Sequence, residues 1–240
     1  MEKFELILFV GPDELAKAAA GEWLDEIAKA NQTAEKYGVA LPGGRMAGKF
    51  FAAIVEQAKA RAISFANVHF FWADERCVPP DDPESNFKIA NELFFAPLKI
   101  GESQIHRIHG EDLPEVAAQK ASAEISNFAT LDKNGQPVLD LIFLGMGEDG
   151  HTASLFAGQI EGMNPRAIFC AVRNSPKPPP DRVSLSYAAI AAARQVWLLV
   201  SGAGKEKALR ESLSANGRTP LAKVIQSRSP TRIFNDFPLN

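Results

Sequence analysis

The chain has 240 residues, of which 46% are hydrophobic and 23% are charged, as in a globular protein with a sizeable core. Its 26 basic and 29 acidic side chains give a net charge of −3, and no run of Lys and Arg marks a surface for nucleic acid. No apolar stretch reaches the roughly 18 residues of a membrane span. Neither nucleic acid nor a membrane is therefore an expected partner.

The two cysteines, Cys77 and Cys170, lie far apart and form no Cys-x-x-Cys pair. We therefore expect no disulfide framework and no zinc site, and a cytoplasmic location. The apolar start of the chain, Met1 to Val10, lacks a basic leader and a small-residue cleavage site. This pattern favours a first β-strand over a signal peptide.

In the first half of the chain, apolar runs of strand length alternate with helical patterns. The predicted order is a strand at Leu6–Val10, a helix from Pro12 to about Tyr37, a strand at Val39–Leu41, a helix from about Met46 to Arg61, a strand at Val68–Ala73 and a helix at Ser85–Phe95. Pro12 suits the first turn of a helix, and Ser85 is a candidate helix cap.

The second half continues the alternation. The predicted order is a short strand at Ile105–Ile108, a helix at Leu113–Phe128, strands at Val138–Leu144, Ala167–Val172 and Arg182–Leu185, a helix near Tyr187–Ala193, a strand at Gln195–Val200 and a helix near Lys205–Ser214. This order predicts an α/β fold in a single domain over residues 1–240, with a doubly wound, mainly parallel sheet and helices on both faces.

Glycine-rich or charged segments follow four of the predicted strands. They are Gly43–Arg45, Asp74–Arg76, Gly145–His151 and Ser175–Arg182. Ligands of such sheets bind outside the carboxyl ends of the strands. We therefore expect all four segments at one edge of the sheet, where they would form a binding site.

The segment Gly145–Thr152 reads Gly-Met-Gly-Glu-Asp-Gly-His-Thr. Its three glycines permit positive φ angles and a close approach to a ligand. Asp149 and His151 could act as an orienting carboxylate and a general base, because a histidine pKa of about 6.5 suits proton transfer. The alternative is an ordinary strand-to-helix turn in which Asp149 caps the helix and His151 is simply exposed.

The charged run Asp74-Glu75-Arg76 comes directly after an apolar strand. Ionisable side chains are costly to bury at such a place unless they pair or bind a ligand. The run therefore indicates either part of a site, through Asp74 and Arg76, or a structural ion pair. The spacing alone does not distinguish these alternatives.

The glycine pair Gly43-Gly44 stands between a predicted strand and a predicted helix. Backbone amides in that position can bind an anion at a helix N-terminus, and Arg45 adds a forked donor suited to phosphate. Glycine pairs also occur in tight turns for steric reasons alone.

Further cations stand beside the later loops. Lys177 and Arg182 flank a rigid proline-rich stretch, and Lys205 follows the turn Gly202–Gly204 at the start of a helix. Together with Arg45, these residues would neutralise a sugar phosphate, whose charge is about −1.5 to −2. A small phosphorylated molecule is therefore the expected ligand.

These segments together resemble the family of 6-phosphogluconolactonases and glucosamine-6-phosphate isomerases. The resemblance rests on WADERCVP at Trp72–Pro79 with Ser85-Asn86, on LGMGEDGHTASLF at Leu144–Phe156 and on SPKPPPDRVSL at Ser175–Leu185. The turn at Gly202–Lys205 also agrees, and the motifs follow the family's order. The proline-rich loop is similar to that of the lactonase branch.

The resemblance implies hydrolysis of 6-phosphoglucono-1,5-lactone to 6-phosphogluconate in the oxidative pentose phosphate pathway, with no metal and no organic cofactor. We expect a monomer or a small homo-oligomer. Two sets of positions carry over from the family: catalytic and site-lining residues at His151, Asp149, Asp74 and Arg76, and phosphate contacts at Gly43, Gly44, Arg182 and Lys205.

The chain departs from the family at Pro42–Ala47, which reads Pro-Gly-Gly-Arg-Met-Ala where the family usually has Ser-Gly-Gly-Ser-Thr-Pro. The hydroxyl donors to the phosphate are missing there, and Arg45 is the side chain that would replace them. The ending at Thr231–Asn240 resembles the family's ending only faintly.

The expected mechanism has His151 take a proton from a water that attacks the lactone carbonyl, while Asp149 orients the imidazole ring. Backbone amides, Arg76 or Lys177 would stabilise the oxyanion.

One alternative is a deaminase/isomerase, whose branch has an acidic residue five positions beyond the histidine, where this chain has Phe156. The other is a sugar-phosphate-binding protein without turnover, and such proteins usually carry a DNA-binding segment for which this chain has no room.

Overall fold

The computed structural model describes residues 3–33, 35–159, 164–228 and 230–239. Its strands are β1 (Phe4–Leu8), β2 (Tyr37–Leu41), β3 (Val68–Trp72), β4 (Asp74–Arg76), β5 (Leu141–Leu144), β6 (Phe169–Val172), β7 (Arg182–Leu185), β8 (Gln195–Val200) and β9 (Thr231–Asn235). Its helices are α1 (Pro12–Ala30), α2 (Arg45–Arg61), α3 (Asn86–Ala90), α4 (Ala96–Leu98), α5 (Pro114–Phe128), α6 (Tyr187–Ala192), α7 (Glu206–Leu213) and α8 (Pro220–Ser227). A π-helical turn, Asn91–Phe95, joins α3 to α4, and a 3₁₀ turn lies at Glu102–Gln104.

Six strands form a parallel sheet in the order β1-β9-β8-β5-β2-β3. The chain moves in one direction from β1 through β2 to β3, and in the opposite direction from β3 through β5 and β8 to β9. Because crossovers between parallel strands are right-handed, the two directions place helices on opposite faces of the sheet. The doubly wound, mainly parallel sheet predicted from the sequence is confirmed.

Aromatic contacts show that both faces of the sheet are covered. Phe70 of β3 packs edge-on against Phe94 of the π-helical turn, with ring centroids 5.3 Å apart. Its neighbours His69 and Phe71 point to the other face, where they contact Phe128 of α5 at 4.6 and 5.1 Å. Alternate residues of one strand therefore pack against different helices, as the pleat of a strand requires.

Helix α1 packs on the sheet and on α2 through an apolar stripe with helical spacing. Trp23, at the centre of this stripe, is fully buried and lies 6.0 Å from Phe50 of α2 and 5.3 Å from Phe143 of β5, centroid to centroid. The other buried members of the stripe are Leu15, Ala16, Ala19, Ala20, Leu24 and Ile27. None of the helices in the described ranges combines the length and apolar character needed to cross a bilayer.

Strands β4, β7 and β6 form a separate, antiparallel sheet of three strands. The sequence predicted β6 and β7 among the strands of one mainly parallel sheet and did not predict β4, so this part of the prediction is corrected. The ladder pairs Asp74 with Ser184 and Arg76 with Arg182. The charged segment after β3 therefore lies beside the strand that follows the proline-rich loop.

Some predicted boundaries also change. Helix α1 ends at Ala30 and not near Tyr37, because the polar residues after it form a turn and Tyr37 pairs with Val68 as the first residue of β2. The predicted strand at Ile105–Ile108 is wrong, since Ile105 forms only an isolated bridge to Phe70. Neither α8 nor β9 was predicted.

Candidate active site

A cavity of about 260 Å³ opens at the carboxyl ends of β2 and β5. These two strands are neighbours in the sheet, and the chain leaves them toward opposite faces. Such a switch point leaves a crevice between the two departing connections, where ligands of doubly wound sheets bind.

The cavity brings together nine of the ten residues that the sequence singled out. They are Gly43, Gly44, Arg45, Asp74, Arg76, His151, Lys177, Arg182 and Lys205. The tenth, Asp149, does not line the cavity and contacts the ring of His151 instead. The four segments therefore converge, although two of them, Asp74–Arg76 and Ser175–Arg182, arrive through the small antiparallel sheet.

His151 is held at one nitrogen of its ring. Its Nδ1 lies 2.5 Å from Oδ1 of Asp149, so Nδ1 carries the shared proton and Nε2 remains a potential base. The ring packs on Phe156, with centroids 4.5 Å apart, and the side chain is 15% exposed. Gly147 allows this arrangement, because a Cβ there would overlap the imidazole ring and the carboxylate of Asp149.

Burial lowers the pKa of His151 below its ordinary value near 6.5, while the hydrogen bond and the charge of Asp149 oppose this shift. The imidazole is therefore neutral at physiological pH. For Asp149, partial burial works to raise the pKa, but the hydrogen bond and charge of His151 outweigh it and the net pKa is lowered. A neutral imidazole beside an ionised carboxylate is the pairing that a general base requires.

The N-terminus of α2 faces the cavity without a capping side chain. Its cap residue, Gly44, has a φ of +80°, and the first turn contains no acidic residue. Gly43 lies against the side chain of Asn86, which a Cβ at position 43 would strike. The backbone amides at the start of this 17-residue helix are thus available to an anion.

Two cations stand on this side of the cavity in different environments. Arg45 is 83% exposed in its side chain, and its Nη2 lies 3.0 Å from Oε1 of Glu148. Lys205 is buried, with 8% exposure, and forms no ion pair within 4 Å among the described residues. Burial, followed by the nearby charge of Arg45, lowers the pKa of Lys205.

Arg182 is buried and organises the proline-rich loop. Its guanidinium donates to three consecutive backbone oxygens: Pro179 at 3.0 Å, Pro178 at 2.9 Å and Lys177 at 3.1 Å. A further donation at 3.4 Å reaches Oγ of Ser154. These contacts fix the loop so that Lys177 stands over the cavity, with its Nζ 3.8 Å from the Asp149 carboxylate.

Asp74 is buried at the cavity wall and is held by neutral donors. Ser154 donates to its Oδ2 at 2.6 Å, and the amide of Asn86 donates to its backbone oxygen at 2.9 Å. Arg76 donates to the backbone oxygen of Glu84 at 2.8 Å. Arg76 also forms an ion pair with the carboxylate of Glu84 at 3.5 Å. Among the described residues, the three charged residues of the run form no ion pair with one another, which was one of the two alternatives for this run.

Glu75 has a structural position outside the cavity. Its carboxylate accepts backbone N–H bonds from Arg76, Asn86 and Phe87 at 2.7–2.8 Å. Burial raises the pKa of Glu75 to about 7, although these hydrogen bonds oppose the shift. This side chain joins β4 to the start of α3.

Sequence reasoning missed three residues of this region: Glu148 at the cavity, and Asn86 and Ser154 behind it. Glu148 and Ser154 lie within the recognised motif around His151, and Asn86 follows the predicted cap at Ser85, but no local pattern gave them a role. Among the described residues, no group of three or more His, Cys, Asp or Glu side chains is arranged to hold a metal ion.

Comparisons with known proteins agree over nearly the whole chain. Residues 11–233 match the family described as glucosamine-6-phosphate isomerases/6-phosphogluconolactonase. A 6-phosphogluconolactonase of Streptomyces coelicolor is 32% identical over 219 residues, which cover 89% of this chain and 84% of that protein. One of Treponema pallidum is 36% identical over 179 residues, which cover 74% and 73% of the two chains.

Solved structures show the same fold. The crystal structure of a devB protein has a TM-score of 0.86 at 32% identity and covers 97% of this chain and 96% of its own. A 6-phosphogluconolactonase from Trypanosoma brucei has a TM-score of 0.86 at 24% identity, covering 98% and 97%. A monomeric glucosamine-6-phosphate deaminase also matches, with a TM-score of 0.79 at 19% identity and coverage of 97% and 96%.

Proposed function

The chain belongs to the glucosamine-6-phosphate isomerase/6-phosphogluconolactonase family, and we propose that it hydrolyses 6-phosphoglucono-1,5-lactone to 6-phosphogluconate. The observation that carries the proposal is the position of His151, a partly accessible imidazole oriented by Asp149 in a cavity lined by cations. The names of the relatives at 32% and 36% identity support the choice of substrate.

In the proposed reaction, His151 takes a proton from water, and the water oxygen attacks the carbonyl carbon of the lactone. The resulting oxyanion is stabilised by Arg76 or Lys177, which both line the cavity. The carbon–oxygen bond of the ring then breaks, and His151 returns its proton to the departing ring oxygen. The products are a hydroxyl group and a carboxylic acid on one open chain, and the acid then loses its proton to the solvent to become a carboxylate.

The phosphate is assigned to the side of the cavity formed by Gly43, Gly44 and Lys205. The uncapped start of α2 and a buried ammonium without an acidic partner in the described residues favour an anion there. Arg45, which is exposed at the opening of the cavity, adds a second positive charge. Arg182 contributes mainly through its charge and through the loop that it holds, since four donations already use most of its N–H groups.

The isomerase alternative is disfavoured by Phe156. The isomerase branch has an acidic residue at this position, and here an apolar ring packs on His151. The fold similarity to a deaminase at 19% identity does not bear on this chemistry.

We further propose that the whole chain is one sugar-phosphate hydrolase domain and that it works in the cytoplasm as a monomer or small homo-oligomer. The continuous hydrophobic core supports the first point. The two unpaired cysteines, Cys77 and Cys170, are consistent with a reducing compartment.

Turnover of freshly prepared lactone, corrected for spontaneous hydrolysis and followed by proton release, tests this function. We expect wild type to hydrolyse the lactone, and His151→Asn to lose about 10²–10⁴-fold in kcat while remaining folded. Ammonia release from glucosamine 6-phosphate without lactone hydrolysis would contradict the proposal. A near-normal rate in His151→Asn would remove His151 from the mechanism.

A further inference from the structure

We propose that Glu148 competes with the phosphate of the substrate for Arg45, and thereby sets how tightly phosphorylated ligands are held. The inference rests on the proposed function, because it places the phosphate at the start of α2. It assigns a role in ligand selection to a cavity residue whose charge is opposite to that of its neighbours.

The carboxylate of Glu148 lies beside Arg45 and Lys205, the two cations proposed to bind the phosphate. Oε1 of Glu148 lies 3.0 Å from Nη2 of Arg45, and the two residues come from connections that follow different strands, β5 and β2. The side chain of Glu148 also lies over the turn before Lys205, since a Cβ at Gly204 would come within 3.8 Å of it. Glu148 therefore lies near both cations that the proposal assigns to the phosphate.

The ion pair is of a kind that an incoming anion can replace. Both side chains are strongly exposed, 83% for Arg45 and 52% for Glu148, and exposed pairs of this type contribute little to stability. A phosphate offers Arg45 a dianion with several acceptor oxygens, which suits the forked guanidinium. Binding would exchange one partner of Arg45 for another and leave the guanidinium paired in both states.

The exchange has a consequence for release of the product. Hydrolysis of a lactone creates a carboxylate, so the product carries one more negative charge than the substrate in the same cationic cavity. Glu148 repels this extra charge and offers Arg45 a replacement partner as the product departs. Its expected effect is weaker retention of product, which keeps the cavity available for substrate.

The test is the binding of inorganic phosphate and of 6-phosphogluconate, measured by calorimetry at low ionic strength, where screening is weakest. Glu148→Gln keeps the shape of the side chain and removes its charge. We expect both ligands to bind about threefold to tenfold more tightly to this variant. In an Arg45→Gln background, Glu148→Gln should change the two affinities by less than about twofold, because the guanidinium for which Glu148 and the phosphate compete is absent.

Asp13→Asn is the matched control, because Asp13 pairs with another cation of α2, Lys49, at 2.5 Å and does not line the cavity. It should leave both affinities unchanged. Unchanged or weaker binding in Glu148→Gln would overturn the inference, as would an equal gain in the Arg45→Gln background. Binding needs no turnover, so this result stands apart from the lactonase assay.

Discussion

His151 combines a fixed orientation with a free nitrogen. Asp149 holds Nδ1 from outside the cavity, and the described residues give Nε2 no hydrogen-bond partner. The lowered pKa of the ring, caused first by its burial, keeps Nε2 able to accept a proton at neutral pH. The carboxylate thus has two effects, because it orients the ring and also limits how far the pKa falls.

This balance predicts the pH dependence of activity. Hydrolysis needs neutral His151, so kcat/KM should rise with pH through a midpoint below about 6.5. Asp149→Asn removes a charge that raises the pKa of His151. The midpoint should therefore move to still lower pH, while the plateau rate falls at least about tenfold because the ring loses its orientation.

Profiles of kcat/KM between acidic and neutral pH for wild type and Asp149→Asn check this prediction. A midpoint that moves to higher pH, or one that does not move, would show that the charge of Asp149 does not act on the ionisation that limits the rate.

At the residue scale, the sequence is informative where chemistry lies in one short motif. The Asp-Gly-His spacing permits Asp149 to pair with His151, which was one of two alternatives for this segment, and the two side chains lie 2.5 Å apart. No comparable pattern indicates that Ser154 supports Asp74, since these residues are 80 positions apart. Such contacts depend on how the two sheets meet, which local patterns do not encode.

At the element scale, the start of α2 depends on two glycines for different reasons. Gly44 needs its positive φ, with open space around it, whereas Gly43 needs its missing side chain because Asn86 occupies the adjacent space. Asn86 in turn donates to the backbone of Asp74, so the helix start and β4 are linked through one amide.

Alanine substitutions should separate the two requirements. Gly44→Ala places a side chain on a backbone with φ +80° and ψ −172°, a conformation that is essentially restricted to glycine, and should cost about 1–3 kcal/mol of stability. Gly43→Ala forces the loop or Asn86 to move, and we expect KM for the lactone to rise at least about tenfold. Urea denaturation and steady-state kinetics measure the two effects, and an unchanged KM in Gly43→Ala would contradict this account.

Most elements with clear periodicity were predicted to within a few residues, apart from the end of α1, and Arg182–Leu185 and Gln195–Val200 were predicted with their observed bounds. Strand β4 was missed because its three residues, Asp74–Arg76, are all charged and their strand conformation comes from pairing with β7. The opposite error occurred at Ile105–Ile108, where apolar ends flank two polar residues and no ladder forms.

At the scale of the whole molecule, one hydrophobic core includes residues from both faces of the main sheet and from the small sheet. Trp23, Trp72 and Trp197 are all buried in it, on α1, β3 and β8. We therefore expect the chain to unfold in one cooperative transition.

Trp23→Ala should lower the free energy of unfolding by about 3–5 kcal/mol, because it removes a large ring that contacts four other aromatic rings. Leu131→Ala, at an exposed position, is the control and should change the free energy of unfolding by less than about 0.5 kcal/mol. Urea denaturation followed by circular dichroism and by the remaining tryptophans gives both values. Separate transitions for the two probes would contradict a single core.

The cavity lies between the two sheets, and each sheet contributes part of its wall. Asp74 and Arg76 come from the antiparallel sheet, while Gly44, His151 and Lys205 come from connections of the parallel one. A bound phosphorylated sugar acid that contacts both walls would hold the two sheets together. Because such a ligand binds only the folded protein, its binding raises the free energy of unfolding, and the melting temperature of the enzyme should rise with the concentration of this metabolite in the cell.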